Sequence, residues 1–328
     1  MTPSVSILVP IYNVSDYIER CAHSLFGQTF DDIEYVFVND CTTDDSIEKL
    51  QNVIEQYPHR KERIKIVHHE KNRGLAAARN TAVDNSTGKY VQHIDSDDWI
   101  ELDMIETMYN KAETEQADIV VCDFFFESAN AQKRGYDFVP ENREDYFSCM
   151  LESKTSFSAL WNKLVHRKLC ELPDCRSVEG LNIGEDWHVS IRWCYHAEKI
   201  AKIDKAFYHY NKMNINALTA SKTNIHIENT IFSYKLLEDF LKEKGIYEKY
   251  ADIVEQSKAQ SKVNLLTQVR DKKTRKKYAY LFRDIEMKYI KQFRRGEQTV
   301  LFLTHYGFHF LAHLTHLLIV FKNRNNSK

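Results

Sequence analysis

Several marks of common protein classes are missing from this chain of 328 residues. Its formal net charge is only -2, so it lacks the concentrated basic field that nucleic-acid binding requires, and we expect no nucleic-acid partner. The seven cysteines include no CxxC pair, which excludes zinc-knuckle and redox motifs and favours a reducing cytosol. No basic and apolar leader precedes the first apolar run, so we do not expect export.

Sequence motifs of the main nucleotide-binding and hydrolytic enzymes are also absent. The chain has no GxxxxGK[ST] loop, no GxGxxG after its first apolar run and no GxSxG elbow. A nucleotidyltransferase would carry a loop rich in glycine and basic residues after its first strand. This chain has Pro10-Ile11-Tyr12-Asn13 there instead.

Short apolar runs alternate with segments of helical period through the first half of the chain. Buried parallel strands are predicted at Ile7–Ile11, Ile33–Val38, Ile64–Val67 and Tyr90–Ile94. The alternation predicts an α/β fold with a mostly parallel sheet flanked by helices, in which ligands bind outside the carboxyl ends of the strands. The polar stretch Ser128–Arg134 is predicted to be a linker, and helical period returns from about Asn224 to Phe293.

Acidic side chains collect where two of these runs end. Asn39 and Asp40 follow the second run, and Asp95-Ser96-Asp97-Asp98 follows the fourth. Carboxylates this close repel one another, so they indicate a divalent cation or ligand hydroxyls that offset the charge. Magnesium and manganese prefer such oxygen ligands. A solvated acidic turn that caps the following helix is the alternative.

Four motifs in this order resemble the family 2 glycosyltransferases of GT-A fold. The motifs are Val5-Ser6-Ile7-Leu8-Val9-Pro10-Ile11-Tyr12-Asn13, Val38-Asn39-Asp40-Cys41-Thr42-Thr43-Asp44, Asn72-Arg73-Gly74-Leu75-Ala76-Ala77-Ala78-Arg79-Asn80 and Ile94-Asp95-Ser96-Asp97-Asp98-Trp99. The resemblance is close over residues 4 to 125 and continues more weakly to about residue 220. The family usually has Asp-Asp-Gly-Ser where this chain has Asn39-Asp40-Cys41-Thr42, and the second Asp is kept.

The resemblance implies a donor site for a nucleotide sugar. Five residues would bind the nucleotide part: Pro10, Tyr12, Asp40, Arg79 and Asp95. Asp40 would accept the imide hydrogen of the base, which favours uracil, and Asp95 would contact the ribose. Asp97 would bind a Mn²⁺ or Mg²⁺ ion that bridges the two phosphates. For Arg79, a surface salt bridge is the alternative.

The resemblance also implies an acceptor side at Glu185-Asp186-Trp187. Asp186 would take the proton from the attacking hydroxyl, and Glu185 would orient the acceptor, which gives inversion at the anomeric carbon. A charge pair at a helix N-terminus is the alternative for both acids. Trp187 is predicted to stack on a sugar or to pack in the core. His209 is predicted to be a core histidine rather than a metal ligand.

The predicted organisation has three parts. Residues 1–220 form the GT-A catalytic domain, residues 221–298 a helical region, and residues 299–328 an amphipathic segment. Between Val300 and Phe321 no residue carries a formal charge, and histidines recur every three or four positions on one face of a predicted helix. With basic residues on both sides, the segment predicts a helix lying in a membrane interface. A packed helix or a dimer contact is the alternative.

Together these features predict a metal-dependent enzyme in surface polysaccharide biosynthesis. It would transfer a sugar, with inversion, from a UDP-sugar to a hydroxyl of a glycan or lipid-linked glycan at the cytosolic face of the membrane. The alternative is a non-catalytic scaffold of the same fold that binds glycans or nucleotide sugars. Such a protein would have lost Asp97 or Asp186, and both are present.

Overall fold

The structure is a computed structural model that describes residues 2–152, 158–181, 184–215, 217, 224–268 and 272–325. The chain divides into two compact units, Met1–Ser221 and Lys222–Lys328, which we call unit 1 and unit 2. The predicted site residues all belong to unit 1.

Unit 1 is built on one mixed sheet with helices around it. The strands are β1 (Val5–Ile11), β2 (Ile33–Asn39), β3 (Ile64–His68), β4 (Tyr90–His93), β5 (Trp99–Ile100), β6 (Ile119–Ser128), β7 (Ala131–Gly135), β8 (Lys163–His166) and β9 (Ile200–Asn211). The helices are α1 (Ile18–Phe26), α2 (Ser46–Ile54), α3 (Leu75–Asp84), α4 (Met104–Glu115), α5 (Arg143–Glu152), α6 (Arg167–Cys170) and α7 (Glu185–His196). The strand order is β3-β2-β1-β4-β8-β6-β9-β5, with β7 paired to β6.

The four strands predicted from apolar runs are confirmed as β1 to β4, and they pair in parallel. The predicted burial is wrong for β3, which lies at the edge of the sheet and is only partly covered. Every residue of β1 is buried, because helices cover both faces of the sheet. The register pairs Ile11 with Asn39, so β1 and β2 end at the same edge of the sheet. That edge brings residues 10–13, 39–44 and 95–98 together, as the predicted fold requires.

The prediction of a linker at Ser128–Arg134 is wrong. These residues form the turn and most of the second strand of a hairpin, in which β7 pairs with β6 from Ser128↔Ala131 to Phe124↔Gly135. The strand β7 is almost fully exposed and polar, so it lacks the apolar alternation that identifies a strand in a sequence. Gly135 is needed there because the ring of Phe124 occupies the space of a β-carbon.

Unit 2 is helical. Its helices are α8 (Asn224–Glu243), α9 (Tyr247–Gln268), α10 (Lys272–Tyr278), α11 (Arg295–His305) and α12 (His309–Asn325). Its core packs α9 against residues before and within α11, including Val263, Tyr289, Val300 and Leu301. The helical prediction for residues 224–293 is confirmed for 224–243, 247–268 and 272–278, whereas α10 ends at Tyr278 and turns and a short 3₁₀ segment follow it.

The prediction of one continuous helix through residues 300–321 is wrong, because α11 ends at His305 and α12 starts at His309. Gly307 lies between them with φ of 84°, a conformation that ends a helix and that only glycine adopts freely. His305 therefore does not share a helical face with His309, His313 and His316. The boundary proposed at residue 298 lies within α11.

Helix α12 packs its histidine face on the protein, whereas the prediction turns that face to water or head groups. His316 and Ala312 are buried, whereas the apolar side chains at helical spacing face solvent: Phe310, Leu311, Leu314, Leu317 and Leu318. Leu318 is 71% exposed. The histidine face packs on the protein, and an apolar face is left outside. Across the described residues, no helix combines the length and hydropathy needed to span a bilayer.

A fully buried ion pair joins Lys262 and Glu286 in unit 2. The Lys262 ammonium also donates to the Ala279 carbonyl at 2.8 Å, and His305 contacts the other carboxylate oxygen of Glu286. Burial, together with the neighbouring Arg283, lowers the pKa of Lys262 to about 7, because the buried site disfavours an isolated charge.

We expect Glu286→Ala to lower the free energy of unfolding of unit 2 by about 3–5 kcal/mol, because it leaves a buried ammonium without its partner. The double variant Lys262→Met/Glu286→Leu removes both charges and should come within about 2 kcal/mol of the parent chain. Urea unfolding of the full chain followed by circular dichroism measures both. Equal losses in the single and double variants would show that packing, not charge, determines stability there.

Candidate active site

A cleft of about 830 Å³ opens at the carboxyl edge of the sheet in unit 1. The segments that line it follow β1, β2 and β4, begin α3 and α7, and end β9. All the residues predicted from the sequence to bind donor, metal or acceptor line this one cleft: Pro10, Tyr12, Asp40, Arg79, Asp95, Asp97, Glu185 and Asp186. Residues separated by up to 176 positions in the sequence thus face one cavity.

Asp40 is buried and its carboxylate is already engaged. The backbone amides of Arg73 and Gly74 each donate to it at 2.8 Å, and Nδ1 of His69 lies 2.7 Å from Oδ1. Gly74 has φ of 86°, which allows the chain to present successive amides to the carboxylate. Asp40 therefore fixes the loop that starts α3, and its role as an acceptor for a base stays a prediction.

Cys41 occupies the position where the family usually has glycine. Its φ is 59°, in the left-handed region that costs a residue with a β-carbon about 1 to 2 kcal/mol. The turn is held by Thr42, whose amide donates to the Asn39 side chain at 2.8 Å. Cys41 thus adopts a backbone conformation that a glycine would adopt without this cost.

The carboxylates after β4 lie in a strongly desolvated place. Burial raises the pKa of Asp95 to about 6, although Arg79 opposes the shift. Burial also raises the pKa of Asp97, which a 2.8 Å hydrogen bond from Asn214 partly offsets. Burial, Asp97 and Asp95 together hold the pKa of Asp98 well above its ordinary value. The protein supplies too little positive charge for these acids, so a cation at this position would be stabilised.

Asp98 is not a helix cap, which the sequence left open. Its carboxylate accepts hydrogen bonds from the Tyr208 hydroxyl at 2.6 Å and from the Asn211 amide at 2.7 Å. Helix α4 begins only at Met104, with Asp103 before it. Asp98 instead ties the loop after β4 to β9.

Arg79 lies at the centre of the acidic residues and is only 2% exposed. Its guanidinium donates to Asp95 and Glu185 at 3.0 Å each, and it also contacts Asp186. Burial lowers the pKa of Arg79, but the three carboxylates outweigh this and raise the pKa above its ordinary value. The surface salt bridge considered from the sequence is therefore wrong, because the site is buried. Arg79 connects the donor-side acid Asp95 to the acceptor-side acids.

Glu185 and Asp186 form the first turn of α7. The positive end of the helix stabilises carboxylates at this place, so the alternative of a charge pair at a helix N-terminus is confirmed. The role of the two acids on the acceptor side stays a prediction. Burial and the neighbouring Asp186 hold the pKa of Glu185 well above its ordinary value. Asp186 is about a quarter exposed, whereas Glu185 is buried. Asp186 is thus the more accessible acid.

Aromatic side chains complete the cleft. Trp187 lines it, and its indole nitrogen donates to the Met150 carbonyl at 3.0 Å, so this ring both packs on α5 and faces the cavity. Trp161 stacks on Tyr208 with ring centroids 4.3 Å apart. His209 lies between the rings of Trp99 and Phe125, and Glu127 and Glu101 contact its two nitrogens. It is a core residue outside the cleft lining.

Sequence reasoning missed the residues of β9 and its continuation that hold the acids in place. The Tyr208 hydroxyl accepts from the Asp95 amide at 3.1 Å, and Asn214 binds the Asp97 carboxylate. Asn211 donates to the Asp97 carbonyl at 3.1 Å. The cluster Tyr208-His209-Tyr210 was the only available signal, because these partners lie more than 110 positions from the acids they contact.

The sheet order and the acidic cleft at its carboxyl edge define a glycosyltransferase of GT-A fold. The Glycosyl transferase family 2 domain matches residues 6–171, and this chain belongs to that family.

Curated relatives and solved structures agree with this assignment. EpsH of Bacillus subtilis (strain 168), provisionally named a glycosyltransferase, is 32% identical over 257 residues, which cover 76% of this chain and 72% of EpsH. TuaG of the same organism, provisionally named a teichuronic acid biosynthesis glycosyltransferase, is 40% identical over 32% of this chain and 40% of its own length. The structure of Staphylococcus aureus TarS residues 1–349 in complex with UDP-GlcNAc has the same fold, with a TM-score of 0.69, 18% identity and coverage of 95% and 90% of the two chains.

Proposed function

We propose that this glycosyltransferase transfers a sugar from a UDP-sugar to a hydroxyl of a glycan or lipid-linked glycan, with inversion, in the synthesis of a surface polysaccharide. The similarity to TarS, which was solved with UDP-GlcNAc, supports a uridine nucleotide. The similarity to TuaG, whose name refers to teichuronic acid biosynthesis, supports a polysaccharide product.

One observation carries the proposal. The acids after β4 and the acids that begin α7 line the same cleft, and Arg79 contacts both sets. A donor bound on the β4 side would therefore lie beside a carboxylate that can accept a proton on the α7 side. A non-catalytic scaffold has no need to keep both sets of acids in one cleft.

The residues after β4 fit a divalent metal ion. Asp97 faces the cleft, uses its carboxylate for the hydrogen bond from Asn214, and lies beside Asp95 with an excess of negative charge. Oxygen ligands of this kind suit Mn²⁺ or Mg²⁺, which family members of this fold typically use. When bound, the ion would neutralise charge on the departing diphosphate. Pro10, Tyr12 and Asp40 would lie around the base.

Asp186 is the proposed general base. As the acceptor oxygen attacks the anomeric carbon, its proton passes to the Asp186 carboxylate, and the bond to the diphosphate breaks with its electron pair on the leaving oxygen. Attack from the face opposite the diphosphate gives inversion. Arg79 would hold Asp186 and Asp95 at the spacing that the donor and acceptor require, in addition to any nucleotide contact.

We expect UDP-sugars, and not GDP-sugars, to release their nucleoside diphosphate when a panel of donors is incubated with the chain and Mn²⁺ or Mg²⁺. Calorimetry should show UDP binding at least about tenfold more tightly than GDP, a difference of about 1.4 kcal/mol. Tighter binding of GDP would contradict the uridine donor. Donor binding with no release and no transfer to any glycan acceptor would instead favour the scaffold.

The apolar face of α12 supports a peripheral membrane contact at the cytosolic surface. Each of its leucines would gain roughly 1.5 to 3 kcal/mol if fully removed from water. Exposed cations at Lys291, Arg294 and Arg295 precede the face and would attract anionic head groups. The side chains of Lys322 and Arg324 and the whole of Lys328 lie outside the described part of the chain.

We expect the full chain to float with anionic liposomes at low salt and to float less at high salt, because salt screens the basic residues. Leu314→Glu/Leu318→Glu should abolish flotation, whereas the control Leu102→Glu/Tyr136→Glu, with the same added charge on exposed sites of unit 1, should float like the parent. Substitutions are better than truncation, since Val300 and Leu301 of α11 belong to the core. A parent chain that stays unbound at both salt concentrations would exclude the membrane contact.

A further inference from the structure

Three side chains of different chemistry meet at the end of α7 that lies away from Asp186. Asp174 and Cys175 belong to the short 3₁₀ turn Pro173–Cys175, and His196 is the last residue of α7. The carboxylate, thiol and imidazole atoms all lie within 4.8 Å of one another, and Nε2 of His196 is 2.9 Å from Asp174. None of the three lines the cleft, and His196 is about 15 Å along the helix from Asp186.

Each of these three donor types is a known zinc ligand. Zn²⁺ binds thiolate, imidazole and carboxylate at about 2.0 to 2.3 Å in tetrahedral geometry, which places neighbouring donor atoms roughly 3.3 to 3.8 Å apart. The observed separations need changes of only about an ångström. His196 and Asp174 are 23% and 25% exposed, so an ion can enter and water can supply a fourth ligand.

The thiol of Cys175 is buried beside Asp174. Burial and the adjacent Asp174 raise the pKa of the Cys175 thiol, although Arg192 opposes the shift. A bound divalent ion deprotonates a coordinating thiol and releases the proton to solvent. Arg192 is itself held by the His188 carbonyl at 2.8 Å.

We propose that Asp174, Cys175 and His196 form a Zn²⁺ site with a structural role, separate from the Mn²⁺ or Mg²⁺ expected at Asp97. The segment that contains Asp174 is already fixed to α3, because Ser177 donates to Asn80 at 3.0 Å and Arg176 pairs with Asp84 at 2.6 Å. The zinc ion would fix the other side of this segment to α7. It would thereby hold together the helices that carry Arg79 and Asp186.

The test uses the full chain, purified under reducing and metal-free conditions and titrated with Zn²⁺ against a chromophoric chelator. We expect one tightly bound ion per chain, and at least about hundredfold weaker binding in Cys175→Ser and His196→Gln, since loss of even an outer partner of a metal ligand costs 10- to 100-fold. The matched control is Cys194→Ser, at a second buried cysteine that lies within α7, and it should bind like the parent.

Two further measurements separate this site from the cleft and from a folding defect. Co²⁺ should give a thiolate-to-metal absorption band in the parent and in Cys194→Ser but not in Cys175→Ser. Asp97→Asn should keep the bound zinc, and circular dichroism should show that all variants are folded. Binding unchanged in Cys175→Ser, absence of the band in the parent, or loss of zinc in Asp97→Asn alone would overturn the proposal. None of these results depends on sugar transfer.

Discussion

Asp186→Asn should reduce sugar transfer by at least about 100-fold while leaving UDP affinity within about twofold of the parent. General-base catalysis contributes roughly 10²- to 10⁴-fold, and the amide cannot accept the proton of the acceptor hydroxyl. The substitution is nearly isosteric, and Arg79 keeps its contacts with Asp95 and Glu185. The fold of the cleft should therefore survive, and the loss should appear in kcat rather than in donor binding.

The measurement is initial-rate transfer to an acceptor glycan, together with calorimetry of UDP binding. Glu185→Gln serves as the matched control on the same turn of α7, because this acid is buried and proposed only to orient the acceptor. Transfer by Asp186→Asn within about tenfold of the parent would show that another group takes the proton. A larger loss in Glu185→Gln than in Asp186→Asn would reverse the two roles.

Asp97→Asn should remove the metal dependence of turnover together with most of the turnover. A metal ion on a leaving diphosphate contributes several kcal/mol, so a loss on the order of 10³-fold is expected. The amide can still accept the hydrogen bond from Asn214, so only the charge is lost.

Rates are measured against the concentration of Mn²⁺ and Mg²⁺ and in excess chelator. The control variant is Asp204→Asn, whose side chain is 90% exposed, and it should behave like the parent. Full activity of the parent chain in chelator would be incompatible with a metal at Asp97. The same would follow if Asp97→Asn kept the metal response of the parent.

The first half of the sheet could be predicted because its signal is local. The apolar runs of β1, β2 and β4 are buried on both faces, so each of these strands is recognisable within a few residues, and the half-exposed edge strand β3 still shows a short apolar run. The position of the cleft then follows from parallel pairing alone. The strand β7 could not be predicted, because it is held by backbone pairing to β6 while its side chains face water.

The side-chain contacts inside the cleft could not be predicted, because they depend on tertiary structure. The resemblance placed Arg79 in the cleft, but no local pattern indicates that three carboxylates from distant segments share its guanidinium. The contact of Asn214 with the Asp97 carboxylate could likewise not be predicted, since the two residues are 117 positions apart in the sequence. Side-chain pairing of this kind leaves no periodic pattern.

The outward face of α12 has a consequence for how the enzyme would meet its acceptor. A protein held at a membrane searches a thin layer rather than the whole cytosol, so the effective concentration of a lipid-anchored acceptor is much higher than its bulk concentration. If the proposed membrane contact holds, weak recognition of the acceptor would be sufficient, because Phe310, Leu314 and Leu318 would keep the enzyme beside it. A membrane-bound substrate could thus be used by a catalytic unit that holds it only briefly.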